Sequence, residues 1–180
     1  MKNVRNIALY ALAVMCIVTV PFAVVSAQSP PVTDDQVDRI RTNCVSAKNI
    51  LDRLHTSDTL LRVNRGQIYE YMSTKLMDRF NGRVTSNRYA AADLTTATQT
   101  YTDALAAFRV SYRAYEEQVS RALAIDCNKE PVSFYDAVAN ARIKRSQVHS
   151  DVLNLHQYID QYRAAVDVFE GGFKANEGSR

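Results

Sequence analysis

The feature that most constrains this chain lies near its C-terminus. Starting at Phe134 and stepping alternately by four and three residues, the chain presents Val138, Ala141, Arg145, Val148, Val152, Leu155, Ile159, Tyr162, Val166, Phe169 and Phe173. Eleven of those twelve positions are apolar or aromatic, in a chain that is 47% hydrophobic overall. That regularity predicts a long amphipathic helix with one apolar stripe, spanning about residues 133–170 from a Ser133 cap. The stripe must be covered by another element.

A second segment has the same periodicity. Leu94, Thr98, Tyr101, Leu105, Phe108, Tyr112, Tyr115, Val119 and Ala122 keep the alternation without a slip, which predicts a helix over about 86–126 that stops before Pro131. Ahead of it, Thr33 with Gln36 three residues on is a capping-box signature. From there Val37, Ile40, Cys44, Ala47, Leu51, Leu54, Asp58, Leu61, Arg65, Ile68 and Met72 define a first helix over about 34–80, with Thr56-Ser57-Asp58-Thr59 as its weakest stretch. After Met72 the spacing becomes four-four through Leu76 and Phe80, as a stutter in the stripe would produce. Asn81-Gly82 reads as the stop, and Gly171-Gly172 as the end of the third helix, leaving residues 174–180 as a disordered tail.

Two cysteines tie the pattern together. Cys44 lies 38 residues before Gly82 and Cys127 lies 45 after it, so a chain that folds back at Gly82 brings them side by side. The expected architecture over 33–173 is all-α: an elongated up-down-up three-helix bundle with coiled-coil-like seams, stapled by one disulfide. Two of the three charged exceptions in the stripes, Asp58 and Arg145, fall level with one another by helical rise. Asp58 is expected to pair with Arg145 across the seam with Tyr112 nearby, and Arg65 with Asp151, because a buried ion without a partner costs several kcal/mol.

The N-terminus supplies an address. Lys2 and Arg5, an apolar run from Ile7 to Val25 and the small-residue exit Val25-Ser26-Ala27 are the layout of a signal peptide over 1–27, cut after Ala27 or kept as an anchor through residues 7–25. Residues 28–32, with Pro30 and Pro31, read as an extended spacer. The expected location is exported: periplasmic, extracellular or anchored at the outer face of the cytoplasmic membrane. An oxidising compartment favours a disulfide between the two remaining cysteines over metal binding or redox chemistry. Of 22 Lys+Arg, Lys2 and Arg5 leave with the leader, so the remainder carries 20 against 19 Asp+Glu, which gives no global bias towards nucleic acid.

Chemistry is sparse in the sequence. His149 and His156 are seven apart, about 10 Å of helical rise, too far to share one metal ion. There is no Gly-x-Ser-x-Gly elbow, no phosphate-cradling glycine loop, no Cys-x-x-Cys and no Glu-x-x-His pair of the di-iron type. No cofactor is expected. The basic stretch Arg62, Arg65, Lys75, Arg79, Arg83 and Arg88 faces an acidic one, Asp151, Asp160, Asp167 and Glu170, so internal pairing is expected, with Arg83, Arg88, Tyr69 and Tyr89 left as a partner surface. The functional expectation is a non-enzymatic interaction or structural module of the bacterial cell envelope, contacting protein or wall polymer. The stapled hairpin is similar in outline to the helical chaperones that cradle outer-membrane proteins, on fold alone, which makes a periplasmic holdase the alternative; a metal- or cofactor-binding bundle ranks third.

Overall fold

The computed structural model describes residues 32–177; the leader over 1–27 and nearly all of the spacer lie outside them. Val32–Arg180 clusters as a compact unit distinct from Met1–Pro31 and supplies its own core and its own cysteine pair. Among the described residues every regular element is helical: α1 (Asp34–Thr42), α2 (Cys44–Tyr71), a π-helical segment (Met72–Met77), α3 (Asp78–Ser86), α4 (Ala92–Ala124) and α5 (Pro131–Glu177).

The first arm is therefore segmented rather than one helix over 34–80. Its start is the capping box read from the sequence: the Thr33 side chain accepts from the Gln36 amide while the Gln36 side chain accepts from Thr33. A first interruption falls at Asn43, whose side-chain amide donates to the Arg39 carbonyl at 2.8 Å. The stretch Thr56–Thr59 is unbroken helix. The second interruption is the π-helical segment, and it begins at Met72, where the spacing of apolar residues changes. A wider turn keeps residues four apart on one face, so Tyr69, Ser73 and Met77 are all buried. The Tyr101 hydroxyl donates to the Tyr69 carbonyl at 3.0 Å just ahead of that turn.

Asn81-Gly82 does not stop the arm. Asn81 is buried, its amide donating to the Leu94 carbonyl (3.2 Å) and the Thr98 hydroxyl (2.8 Å) while its oxygen accepts from Tyr162 (2.9 Å), and Val84 one turn on is buried as well. The helix ends at Ser86 instead, in a Schellman arrangement: the Tyr89 amide donates to the Val84 carbonyl and the Arg88 amide to the Thr85 carbonyl. The residue in the left-handed position is Arg88, with φ 62°, where glycine is usual. Arg88→Gly is accordingly expected to stabilise the fold by about 0.5–1 kcal/mol. Thermal unfolding would report this as a rise of about 1–4 °C; an unchanged or lower midpoint would contradict the strain.

The second helix starts at Ala92 rather than near residue 86, because residues 87–91 form the turn. All nine positions of its expected stripe, from Leu94 to Ala122, are buried. The third starts at Pro131, with the Phe134 amide donating to the Glu130 carbonyl, so Ser133 lies inside the first turn. Proline suits that first position because its missing N–H would be unpaired anyway. Gly171-Gly172 does not end it, and the segment expected as a disordered tail from 174 is helical to Glu177. Phe169 and Phe173 carry the helix past the glycines by packing edge-on against Tyr89, while Phe80 packs against Phe169.

Hydrogen bonds fix the directions. Asp58 meets Tyr115, Tyr69 meets Tyr101 and Asn81 meets Thr98, so the first arm runs antiparallel to α4. Asp58 meets Arg145 and Tyr69 meets His156, so it runs parallel to α5. Cys44 and Cys127 stand at disulfide distance, Cα to Cα 5.6 Å, across a sequence separation of 83. The closest packing is between α4 and α5, whereas α2 approaches α4 and α1 approaches α5.

Candidate functional site

The polar layer at Asp58 is where an ion pair enters the core among the described residues, Asp151 being a second buried carboxylate. Asp58 is 9% exposed on α2. Arg145 from α5 reaches it with two hydrogen bonds, Nε to Oδ2 at 2.8 Å and Nη2 to Oδ1 at 3.1 Å, and the Tyr115 hydroxyl from α4 donates to Oδ2 at 2.7 Å. The phenol of the layer is thus Tyr115 and not Tyr112. Three residues separate them on the stripe, but Tyr112 turns its hydroxyl to Glu116 (3.0 Å), and Arg62 lies over its ring at 5.3 Å.

Electrostatics follow from that geometry. Burial by itself would raise the Asp58 pKa, yet the hydrogen bonds from Arg145 and Tyr115 and the guanidinium charge outweigh it, and the carboxyl sits below its ordinary value of 3.8. Burial raises the Tyr115 phenol and the bond to Asp58 raises it further; the bond to Asp58 also lifts Arg145. Burial pushes Tyr112 up to about 12. A carboxyl whose folded pKa is depressed contributes stability above its unfolded value and loses it as pH falls through the folded value. Stability measured by denaturant is therefore expected to fall below about pH 4 in a manner that Asp58→Asn flattens; identical acid profiles for the two proteins would refute the role of Asp58.

The second expected layer is absent. Arg65 is exposed, and buried Asp151 takes its hydrogen bonds from Ser111 and from Gln147 (2.9 Å). The reason is the drift of a straight helix against a strict seven-residue repeat. Buried positions on the first arm run Cys44, Leu51, Asp58 and then Tyr69, a step of eleven in place of seven, which turns Leu61, Arg65 and Ile68 outward. The same shift makes Tyr69 core at 4% exposed, in place of surface, with its hydroxyl 3.1 Å from His156 Nε2.

Internal pairing of the basic stretch is not what the structure shows either. Among the described residues Arg65, Lys75, Arg79, Arg83 and Arg88 have no carboxylate within 4.0 Å; the cross-arm ion pair on this side is Glu70 with Arg109 of α4. Tyr89 is 46% exposed, with its ring against Phe169 and Phe173.

Two openings flank the Asp58–Arg145 bridge, because α2 touches the α4–α5 pair at few points. The lower one, about 430 Å³, is lined by Ile40, Ala47, Leu51, Leu54, Phe134 and Val138 among others, with Arg39, Arg142 and Arg145 around it. The upper one, about 300 Å³, has Arg62, Arg65, Arg145 and His149 beside Leu61, Tyr112 and Val152. Neither opening was foreseen from the periodicity, since a stripe of apolar residues says nothing about whether it is fully covered. No group of three or more His, Cys, Asp or Glu side chains suited to a metal occurs among the described residues. No helix among them is long and apolar enough to cross a membrane. Comparison with protein-family models, with curated proteins and with solved structures finds no match to this chain.

Proposed function

We propose that this chain is an exported, non-enzymatic interaction module of the bacterial cell envelope, a three-armed helical bundle that makes surface contacts with protein or wall polymer. The observation that carries this reading is the α2–α3 arm. It holds exposed Arg65, Arg79 and Arg83, with Arg88 in the turn that follows, all without ion-pair partners among the described residues, interleaved with exposed Leu60, Leu61, Ile68, Tyr71 and Leu76. Solvated cations beside apolar side chains provide both the long-range attraction and the buried area that a binding surface needs. Tyr89 at the turn extends it.

Chemical crosslinking on intact cells producing the chain, followed by identification of the captured protein or polymer, tests the reading. Arg83→Glu with Arg88→Glu is expected to abolish the captured species while leaving thermal unfolding close to that of the parent. Capture that is absent from the parent, or indifferent to the charge reversal, would argue against it. The same exposed apolar residues support a second reading, a periplasmic holdase. In that case purified chain would suppress aggregation of an unfolded outer-membrane protein in proportion to its concentration, and a chain without that effect would remove this reading.

A further inference from the structure

The lower opening has a composition and a construction that surface contacts do not use. On its apolar side stand Ile40, Ala47, Leu51, Leu54, Phe134 and Val138; its only charged lining residues are three arginines, Arg39, Arg142 and Arg145. Arg39 pairs with Asp35, and Arg145 gives Nε and Nη2 to Asp58, whereas exposed Arg142 has no carboxylate within 4.0 Å among the described residues. The cavity thus combines an uncovered apolar trough with one unneutralised cation, Arg142, at its rim.

The gap is held open by the fold. At one end Cys44 bridges to Cys127, at the other Asp58 bridges to Arg145 and Tyr115, and between those two struts Leu51 is the one buried residue of α2. The struts are fourteen residues apart, about 21 Å of helix. Two of the residues lining the space, Ala47 on α2 and Ala141 on α5, have side chains too short to cross it. With both ends pinned, α2 cannot collapse onto α5, and an apolar ligand is what the trough is shaped to accept.

We propose that this cavity binds one long-chain fatty acid, with the acyl chain lying along the trough between α2 and α5 and the carboxylate held by Arg142. A volume of about 430 Å³ is within the range of small-ligand pockets. An apolar space with a single unpaired cation at its rim matches a flexible chain with a single anionic end better than a neutral molecule. Protein contacts on the α2–α3 arm are not required for this binding, and either can fail alone.

Isothermal titration of palmitate into the chain beginning at Gln28 tests the proposal, with dodecanoate and palmitic acid methyl ester as comparison ligands. Palmitate is expected to bind saturably at one per chain and to raise the thermal midpoint. Dodecanoate is expected to bind at least about tenfold more weakly, since each methylene contributes about two- to fourfold when buried. The ester, lacking the charge, is expected to lose about tenfold, and Arg142→Glu to weaken palmitate by at least about fivefold without changing the ester. Leu54, at 37% exposed, can be changed without touching the core, and Leu54→Glu is expected to abolish binding of both ligands. Absence of saturable palmitate binding, equal affinity for acid and ester, or indifference to both substitutions in a folded protein would overturn the assignment.

Discussion

Reducing the Cys44–Cys127 pair, or replacing both residues with serine, is expected to lower the unfolding free energy by about 4 kcal/mol. The pair closes a loop with a sequence separation of 83, and chain-entropy estimates put the constraint on the unfolded state at about 3 kcal/mol for a short loop and more for one this long. Equilibrium denaturation of the chain from Gln28, with and without reductant, gives the number directly; unchanged midpoints would show that the cross-link contributes nothing. The loss should also be uneven. The α4–α5 pair keeps its core of Tyr101, Leu105, Val119 and Leu155, each 2% exposed or less, whereas α2 over Cys44–Asp58 keeps Leu51 and the Asp58 layer. Hydrogen exchange in α1 and α2 should therefore accelerate on reduction well before exchange in α4.

Removing Arg145 is expected to be the next largest loss. Its side chain is 50% exposed while that of Asp58 is 11% exposed, so the two halves of the bridge are not equivalent. In Arg145→Ala the carboxylate stays in the core with Tyr115 as its remaining hydrogen-bond partner, at an expected cost of about 2–3 kcal/mol; a fully buried pair would cost more, but half of the arginine was never desolvated. In Asp58→Ala the guanidinium can turn to water, and the cost should be smaller. Replacing both, Asp58→Leu with Arg145→Met, should recover most of the loss, because an apolar pair of similar volume needs no compensation. Chemical denaturation of the three variants decides it, and a double variant as unstable as the sum of the singles would show that the layer stabilises by itself rather than by avoiding an unpaired charge.

How much could be read from residues alone differs along the chain. In α4 every stripe position from Leu94 to Ala122 is buried, because close packing along α5 holds one phase throughout. The first arm has long stretches packed loosely, and there the phase slips. Leu61 and Ile68 fit the stripe by spacing yet are 50% and 57% exposed, and Tyr69, off the stripe, is 4% exposed. The change of spacing at Met72 was a true signal, and its structural form is a π turn. Glycine was the least reliable sign: Gly82 and Gly171 lie within helices, while the left-handed cap fell to Arg88. Helix ends here are decided by whether the next turn finds something to bury, as Val84 and Phe173 do.

The sequence by itself determined the helical class, the antiparallel return that brings Cys44 to Cys127, and the cross-arm bridge of Asp58 to Arg145, since each follows from periodicity and a rise of 1.5 Å per residue. Only the tertiary structure decided which tyrosine completes the bridge, where the arms turn, and that α2 stands away from α5 over the apolar trough. Those outcomes depend on side-chain volumes meeting across arms, as Tyr115 meets Asp58. A one-dimensional pattern records which face a residue shares, and not how far away the facing helix will settle.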